Sequence, residues 1–170
     1  MKAKDIKIKL PKKAKTIGRF YLNCEKRKKF VAVGKENYKK HLKKAKHDLY
    51  RAEKEYEDKC WDWTVIKAYY AIHHSANALL VREKGFFCKD HSCLIVALKY
   101  YNLIKEGLFK ELLDLHDSLA DALGLDLTFQ LRKLSQYDVN EWENIKEEDA
   151  SLTVSVAKKL ISFVENENSK

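Results

Sequence analysis

Residues Trp63 to Val81 constrain the fold more than any other part of the chain. They read Trp-Thr-Val-Ile-Lys-Ala-Tyr-Tyr-Ala-Ile-His-His-Ser-Ala-Asn-Ala-Leu-Leu-Val, and Lys67 is the only Lys, Arg, Asp or Glu among them. Val65, Ile66, Tyr69, Ile72, Ala76, Leu79 and Leu80 recur at three- and four-residue intervals, the period of a helix. Ala68, Ala71, Ala76 and Ala78 let neighbouring helices approach closely. A helix that is apolar around most of its circumference is buried, so this stretch predicts a central helix on which the others pack.

The flanking patterns supply those other helices. Tyr38, Leu42, Ala45, Leu49, Ala52 and Tyr56 form a narrow apolar stripe along Glu36–Asp58, behind which the surface is strongly charged. Asp62 is placed to cap the central helix, and Gly85 to end it. Phe86 to Asp90 reads as a loop, followed by helices from His91 to about Lys105, from Leu108 to Ala122, from Leu127 to Tyr137 and from Glu147 to Glu165. Gly107 and Gly124 read as breaks between them, and Asp138–Lys146 as a polar loop. Five glycines and one proline leave little material for the turns of an all-β fold. Short connections predict an all-α, antiparallel up-and-down bundle of five to six helices over residues 35–166.

Residues 1–34 differ, and read as a basic N-terminal extension. Asp5 to Leu10 alternates with period two until Pro11, and Arg19–Leu22 and Phe30–Val33 are short β-prone runs. They suit a small β-ribbon or a strand lying along the bundle. Residues 1–46 hold eighteen Lys and Arg against three Asp and Glu, a balance of +15, which leaves −6 for the rest of a chain whose formal charge is +9. Such a front end suits attachment to a polyanion, with nucleic acid first, because phosphate neutralisation supplies most non-specific affinity. Arg19, Arg27, Lys28 and Lys29 stand beside Phe20, Tyr21 and Phe30, so phosphate contact with base stacking is one reading and core packing of the rings the other. No run of eighteen apolar residues could span a membrane, and the start carries no secretory signal, so the chain is expected to be cytoplasmic with four reduced cysteines.

Three clusters could carry chemistry. Cys88-x2-His91-x-Cys93 resembles part of a zinc site but lacks a second ligand pair, so no metal or other cofactor is predicted. Tyr70, His74 and Asn77 fall on one face of the central helix, either as a satisfied core network or as a polar seam facing a cleft or a second subunit. His73 reads as pointing elsewhere. Arg132 and Gln136 share a face beside Tyr137 and Asp138, which suits a phosphate-positioning group or a structural ion pair. No nucleophile elbow, phosphate-binding glycine loop or dinucleotide fingerprint is present.

Ala68-Tyr69-Tyr70-Ala71-Ile72-His73-His74-Ser75-Ala76-Asn77-Ala78-Leu79-Leu80 resembles the Ala-Tyr-Tyr-Ala-Met-Phe-His-Ala-Ala-Arg-Ala-Leu-Leu signature of prokaryotic HEPN-domain proteins. The likeness continues through Lys84-Gly85, His91-Ser92, Leu131-Arg132 and Tyr137-Asp138, and covers about residues 36–165. It implies a dimeric bundle of about five helices associated with RNA, commonly in toxin–antitoxin or defence systems beside a minimal nucleotidyltransferase. Active members of the wider superfamily are metal-independent ribonucleases that use an Arg followed, after four to six residues, by a His. Here Tyr137, Asp138 and Val139 occupy the positions where that His would stand. A phenol with a pKa of about 10 is a poor general base where an imidazole near about 6.5 is a good one. His91, like His74, is a candidate to work beside Arg132 or to line the interface with Asp138.

The leading expectation is therefore a dimer that binds RNA or a nucleotidyltransferase. The alternatives are an endoribonuclease built on Arg132, Tyr137 and His74, and a purely structural interaction module.

Overall fold

The computed structural model describes residues 10–123 and 142–167. In chain order these form α1 (Ala14–Lys26), β1 (Phe30–Ala32), a 3-10 turn (Lys35–Asn37), α2 (Tyr38–Glu57), α3 (Trp61–Lys84), β2 (Phe86–Cys88), α4 (His91–Tyr100), α5 (Glu106–Leu123), a second 3-10 turn (Trp142–Asn144) and α6 (Glu147–Asn166). The expected all-α bundle is present, with a two-stranded ribbon as its only sheet among the described residues. The helix expected at 127–137 lies outside them.

The uncharged stretch is indeed the core of α3. Val65, Ala68, Ala71, Ala78, Leu80 and Val81 have no solvent exposure at all. The alanines keep the helix surface low, and α3 packs along both α2 and α6. The stripe on α2 faces α3 through Ala45 and Ala52, with Leu42, Leu49 and Tyr56 at its margins. Asp48 is buried on the same face, a charge that the apolar pattern does not announce.

The extension is not extended over Arg19–Leu22. Those residues belong to α1, because Ile17, Tyr21 and Cys24 fall at helical spacing and bury together. Packing a three-residue apolar stripe against α4 outweighs the β propensity of a short aromatic run. Tyr21 stacks on Tyr100 at 4.0 Å with nearly parallel rings, and its hydroxyl lies 2.6 Å from that of Tyr101. Beyond α1 the chain does form the ribbon, but with a partner far along the sequence. β1 pairs antiparallel with β2, setting Phe30 opposite Cys88, Val31 opposite Phe87 and Ala32 opposite Phe86. Phe86–Cys88, expected as loop, is thus a strand. Cys24 and Cys93 are joined in a disulfide, correcting the expectation of four free thiols, while Cys60 and Cys88 are free. Folding α1 back over α4 brings together two cysteines 69 positions apart.

Helix ends account for the remaining differences. α4 stops at Tyr100, before the expected Lys105, and Gly107 lies inside the first turn of α5. The stop is Asn102, in the left-handed region at φ 53°, with the Leu103 amide donating to the Leu98 carbonyl at 2.9 Å. α1 and α2 end in the same motif on Lys28 (φ 52°) and Lys59 (φ 58°), closed by Lys29 N–H to Cys24 O and Cys60 N–H to Glu55 O. α3 ends on the glycine expected there, Gly85 at φ 75°. At α4 the other end is fixed by Asp90, whose carboxylate accepts from the Cys93 amide at 3.0 Å.

A left-handed conformation at a residue with a Cβ costs roughly 1 kcal/mol relative to glycine. Lys59 is exposed. Lys59→Gly should therefore stabilise the protein, by about 0.5–1 kcal/mol in chemical denaturation, whereas Lys59→Val should destabilise it.

Candidate functional site

Four of the six histidines gather where α2, α3 and the start of α4 meet. His73 and His91 lie 4.1 Å apart between ring centroids, His73 and His74 5.6 Å, and His41 and His74 6.0 Å. Tyr69 stacks on His91 at 4.7 Å, Tyr70 meets it edge-on at 6.3 Å, and Phe87 of β2 lies 5.7 Å from His41.

The cluster has an inner and an outer part. In the inner part Asn77, buried, holds β2 with both ends of its amide: Nδ2 donates to the Cys88 carbonyl at 2.9 Å, and Oδ1 accepts from the Cys88 amide at 2.8 Å. Nδ2 also lies 3.1 Å from His73 Nε2. His73 therefore belongs to the same face as Asn77, contrary to the sequence reading; positions four apart stand one turn above each other. Burial, aided by the neighbouring His91, His74 and His41, pushes the His73 pKa down to about 2, so its ring is neutral and accepts from Asn77. Burial likewise raises the phenol pKa of Tyr69 and pushes the Cys88 thiol up to about 12.

The outer part opens to solvent. The His74 side chain is 25% exposed, and its Nε2 lies 3.9 Å from Oδ2 of Asp48, which is itself only 3% exposed. The other oxygen of Asp48 takes Lys44, with His47 Nδ1 3.5 Å away. Burial lowers the pKa of His74, opposed by the Asp48 charge, and lowers that of His41. Both present neutral imidazoles at neutral pH, each able to take up a proton. Asp48 Oδ2 and the Nδ1 atoms of His73 and His74 have no hydrogen-bond partner among the described residues.

The expected seam is thus divided. Tyr70 and Asn77 face His91 and β2, while His74 faces α2. His91 is buried at the start of α4. Arg132, Tyr137 and Asp138 lie outside the described residues. Of the zinc-like cluster, Cys93 is taken up by the disulfide, and the Cys88 thiol lies 3.3 Å from the Asp90 carbonyl. Among the described residues no three His, Cys, Asp or Glu side chains converge on a common point for a metal. His41 and Asp48 are absent from the sequence reading, although their i, i+7 spacing is a signal that puts them on one face of α2.

The proposed phosphate ligands fare unequally. Arg19 is exposed on α1 and Lys28 is exposed at its end. Arg27 is also exposed, although its Nη2 lies 3.6 Å from Cys93 Sγ and 3.8 Å from Cys24 Sγ, and the half-buried Lys29 pairs with Asp90 at 3.5 Å.

An antiparallel helical bundle with a buried, alanine-rich central helix and a histidine-lined face defines the class. The chain belongs to the HEPN domain family, whose model matches residues 38–167. No curated protein and no solved structure matches it. No helix among the described residues is long and apolar enough to cross a membrane.

The neutral state of His73 has a measurable consequence. A histidine whose folded pKa lies below its unfolded value of 6.5 takes up its proton only on unfolding, so its contribution to stability is complete above that value and is lost as pH falls toward about 2. His41, His74 and His116 are shifted in the same direction. Stability should fall on going from pH 7.5 to 5, with His73 contributing a slope that approaches about 1.4 kcal/mol per pH unit. Urea titrations of His73→Gln should show that slope reduced by one proton's share; an unchanged slope would mean that His73 titrates normally.

Proposed function

We propose that this protein is an RNA-associated HEPN-type component, acting as a homodimer that binds RNA or a minimal nucleotidyltransferase in a toxin–antitoxin or defence system. Residues 35–166 would form the functional bundle and residues 1–34 its basic extension. One observation carries the reading. Lys39, Lys40 and Lys43 stand exposed on the first turns of α2, with no acidic partner among the described residues, next to His41. Lys15, Arg19, Lys26 and Lys28 add exposed charge along α1 and at its end. Three lysines left unpaired on the first turns of one helix carry self-repulsion that a polyanion would relieve.

The test uses charge reversal, since deleting residues 1–34 would also remove Ile17, Tyr21 and Cys24 from the core. Binding of single-stranded RNA to the intact protein should weaken steeply with salt. Lys39→Glu, Lys40→Glu and Lys43→Glu together should lower affinity at least tenfold and flatten the log–log salt slope by about 2, at roughly 0.7 for each phosphate no longer neutralised. Salt-independent binding, or a dimer indifferent to RNA that co-purifies with one protein, would point to the structural module instead.

A second reading, a metal-independent endoribonuclease centred on Arg132 with Tyr137 and His74, draws support from the outer part of the cluster. His74 is partly exposed, backed by Asp48 and close to the second imidazole of His41. Such a pair can take a proton from a ribose hydroxyl and return one to a leaving oxygen. This reading expects RNA cleavage in the presence of chelator, abolished by Arg132→Ala with the fold intact. Varied RNAs left uncut by the purified protein would eliminate it.

A further inference from the structure

The arm made by α1 and β1 precedes the residues that the family model matches, and it is tied to the bundle at three places. Tyr21 stacks on Tyr100, β1 pairs with β2, and Cys24 is bonded to Cys93. The apolar side of α1 is small, limited to Ile17, Tyr21 and Cys24 as its buried residues. The disulfide is the covalent one of these three ties, and the one that chemistry can switch.

Its surroundings favour exchange. Arg27 holds Nη2 within 3.6 Å and 3.8 Å of the two sulfurs, so a cation waits beside whichever one leaves as thiolate. Cys93 sits in the first turn of α4, its amide bonded to Asp90, where the helix N-terminus also favours negative charge. The Asp90 carboxylate opposes this, but its charge is shared with Lys29 at 3.5 Å. Both cysteines have no solvent exposure, so a reductant reaches them only when α1 lifts. The buried Cys88 thiol bonds to the Asp90 carbonyl and stays outside the exchange.

We propose that Cys24–Cys93 is a redox latch, which when oxidised fixes the basic arm on α4 and when opened by a dithiol reductant frees α1 from the bundle. The reductant's thiolate attacks one sulfur, forming a mixed disulfide while the other leaves as a thiolate beside Arg27. The reductant's second thiol then resolves the mixed disulfide. The reductant ends as a disulfide, the protein gains two thiols, and two electrons and two protons have been transferred. Opening uncovers the face of α4 that carries Cys93 and Tyr100, with Tyr101 just beyond its end, and frees Lys29 to leave Asp90. The bundle keeps its own α2–α3–α6 packing.

The experiment compares the full chain, oxidised and after dithiothreitol, by limited trypsin digestion with mass mapping. Reduction should speed cleavage between Lys12 and Lys29 at least tenfold and leave cleavage within α3 and α6 unchanged. The double variant Cys24→Ser, Cys93→Ser should behave like the reduced form with or without reductant; if it fails to fold, the reduced wild type answers the same question. Tyr21→Ala should accelerate reduction by loosening the arm, and Arg27→Gln should slow it. An arm as resistant after reduction as before would overturn the latch. So would cleavage that spreads through the whole bundle, which marks a structural staple.

Discussion

The two hydrogen bonds between the Asn77 amide and the backbone of Cys88 fasten the β ribbon to the central helix. One partner stands on the buried central helix, the other on a three-residue strand. Because the amide both donates and accepts, it fixes β2 in position and in register, as a neighbouring strand would. β2 in turn positions β1, and the chain after it delivers Asp90 to the start of α4. The ribbon and the approach to the α4 cap are therefore both steadied by one side chain, while the arm is docked on α4 by Tyr21 and the disulfide as well. His73, held neutral by burial, keeps Asn77 facing that way.

The same arrangement explains why so many imidazoles are tolerated inside. A charged histidine would be costly at the α2–α3–α4 junction, and burial keeps His41, His73 and His74 neutral instead. Asp48 is the exception, a buried carboxylate that reaches charge balance through Lys44 at the helix surface. It leaves one oxygen directed at His74. The result is a gradient, from rings that serve only the fold to a pair near solvent with proton-exchange capacity.

What is legible in the sequence follows from range. The central helix, the α2 stripe and the final helix have apolar periods long enough to override local ambiguity, and each lies where expected. α1 reads as strand only while four residues of β propensity are weighed without Ile17 and Cys24, which set the helical period. The ends of α1 and α4 are hidden because Lys28 and Asn102, not glycine, take the left-handed turn. The disulfide and the β1–β2 pairing join positions far apart, and no spacing rule reaches that distance. At the site, Asn77 is recognisable as a polar group in need of partners, but its partner is backbone, which carries no signature in a sequence. His41 and Asp48 stand on a helix whose apolar face alone draws the eye.

The charge asymmetry also changes meaning once the chain is folded. Counted along the sequence, residues 1–46 form one basic block. In the molecule that block is divided. Arg27 approaches the disulfide, Lys29 pairs with Asp90 and Lys44 pairs with Asp48, so part of the charge of each is already committed within the fold. Lys39, Lys40 and Lys43 remain turned outward, together with those on the outer side of α1. Affinity for an anionic partner would rest chiefly on the second group, because a cation without a carboxylate partner neutralises a phosphate without first giving up an ion pair. Adjacent residues thus differ in pairing and not in exposure: Lys43 and Lys44 both stand at the surface of α2, but Lys44 alone pairs with the only buried carboxylate among the described residues.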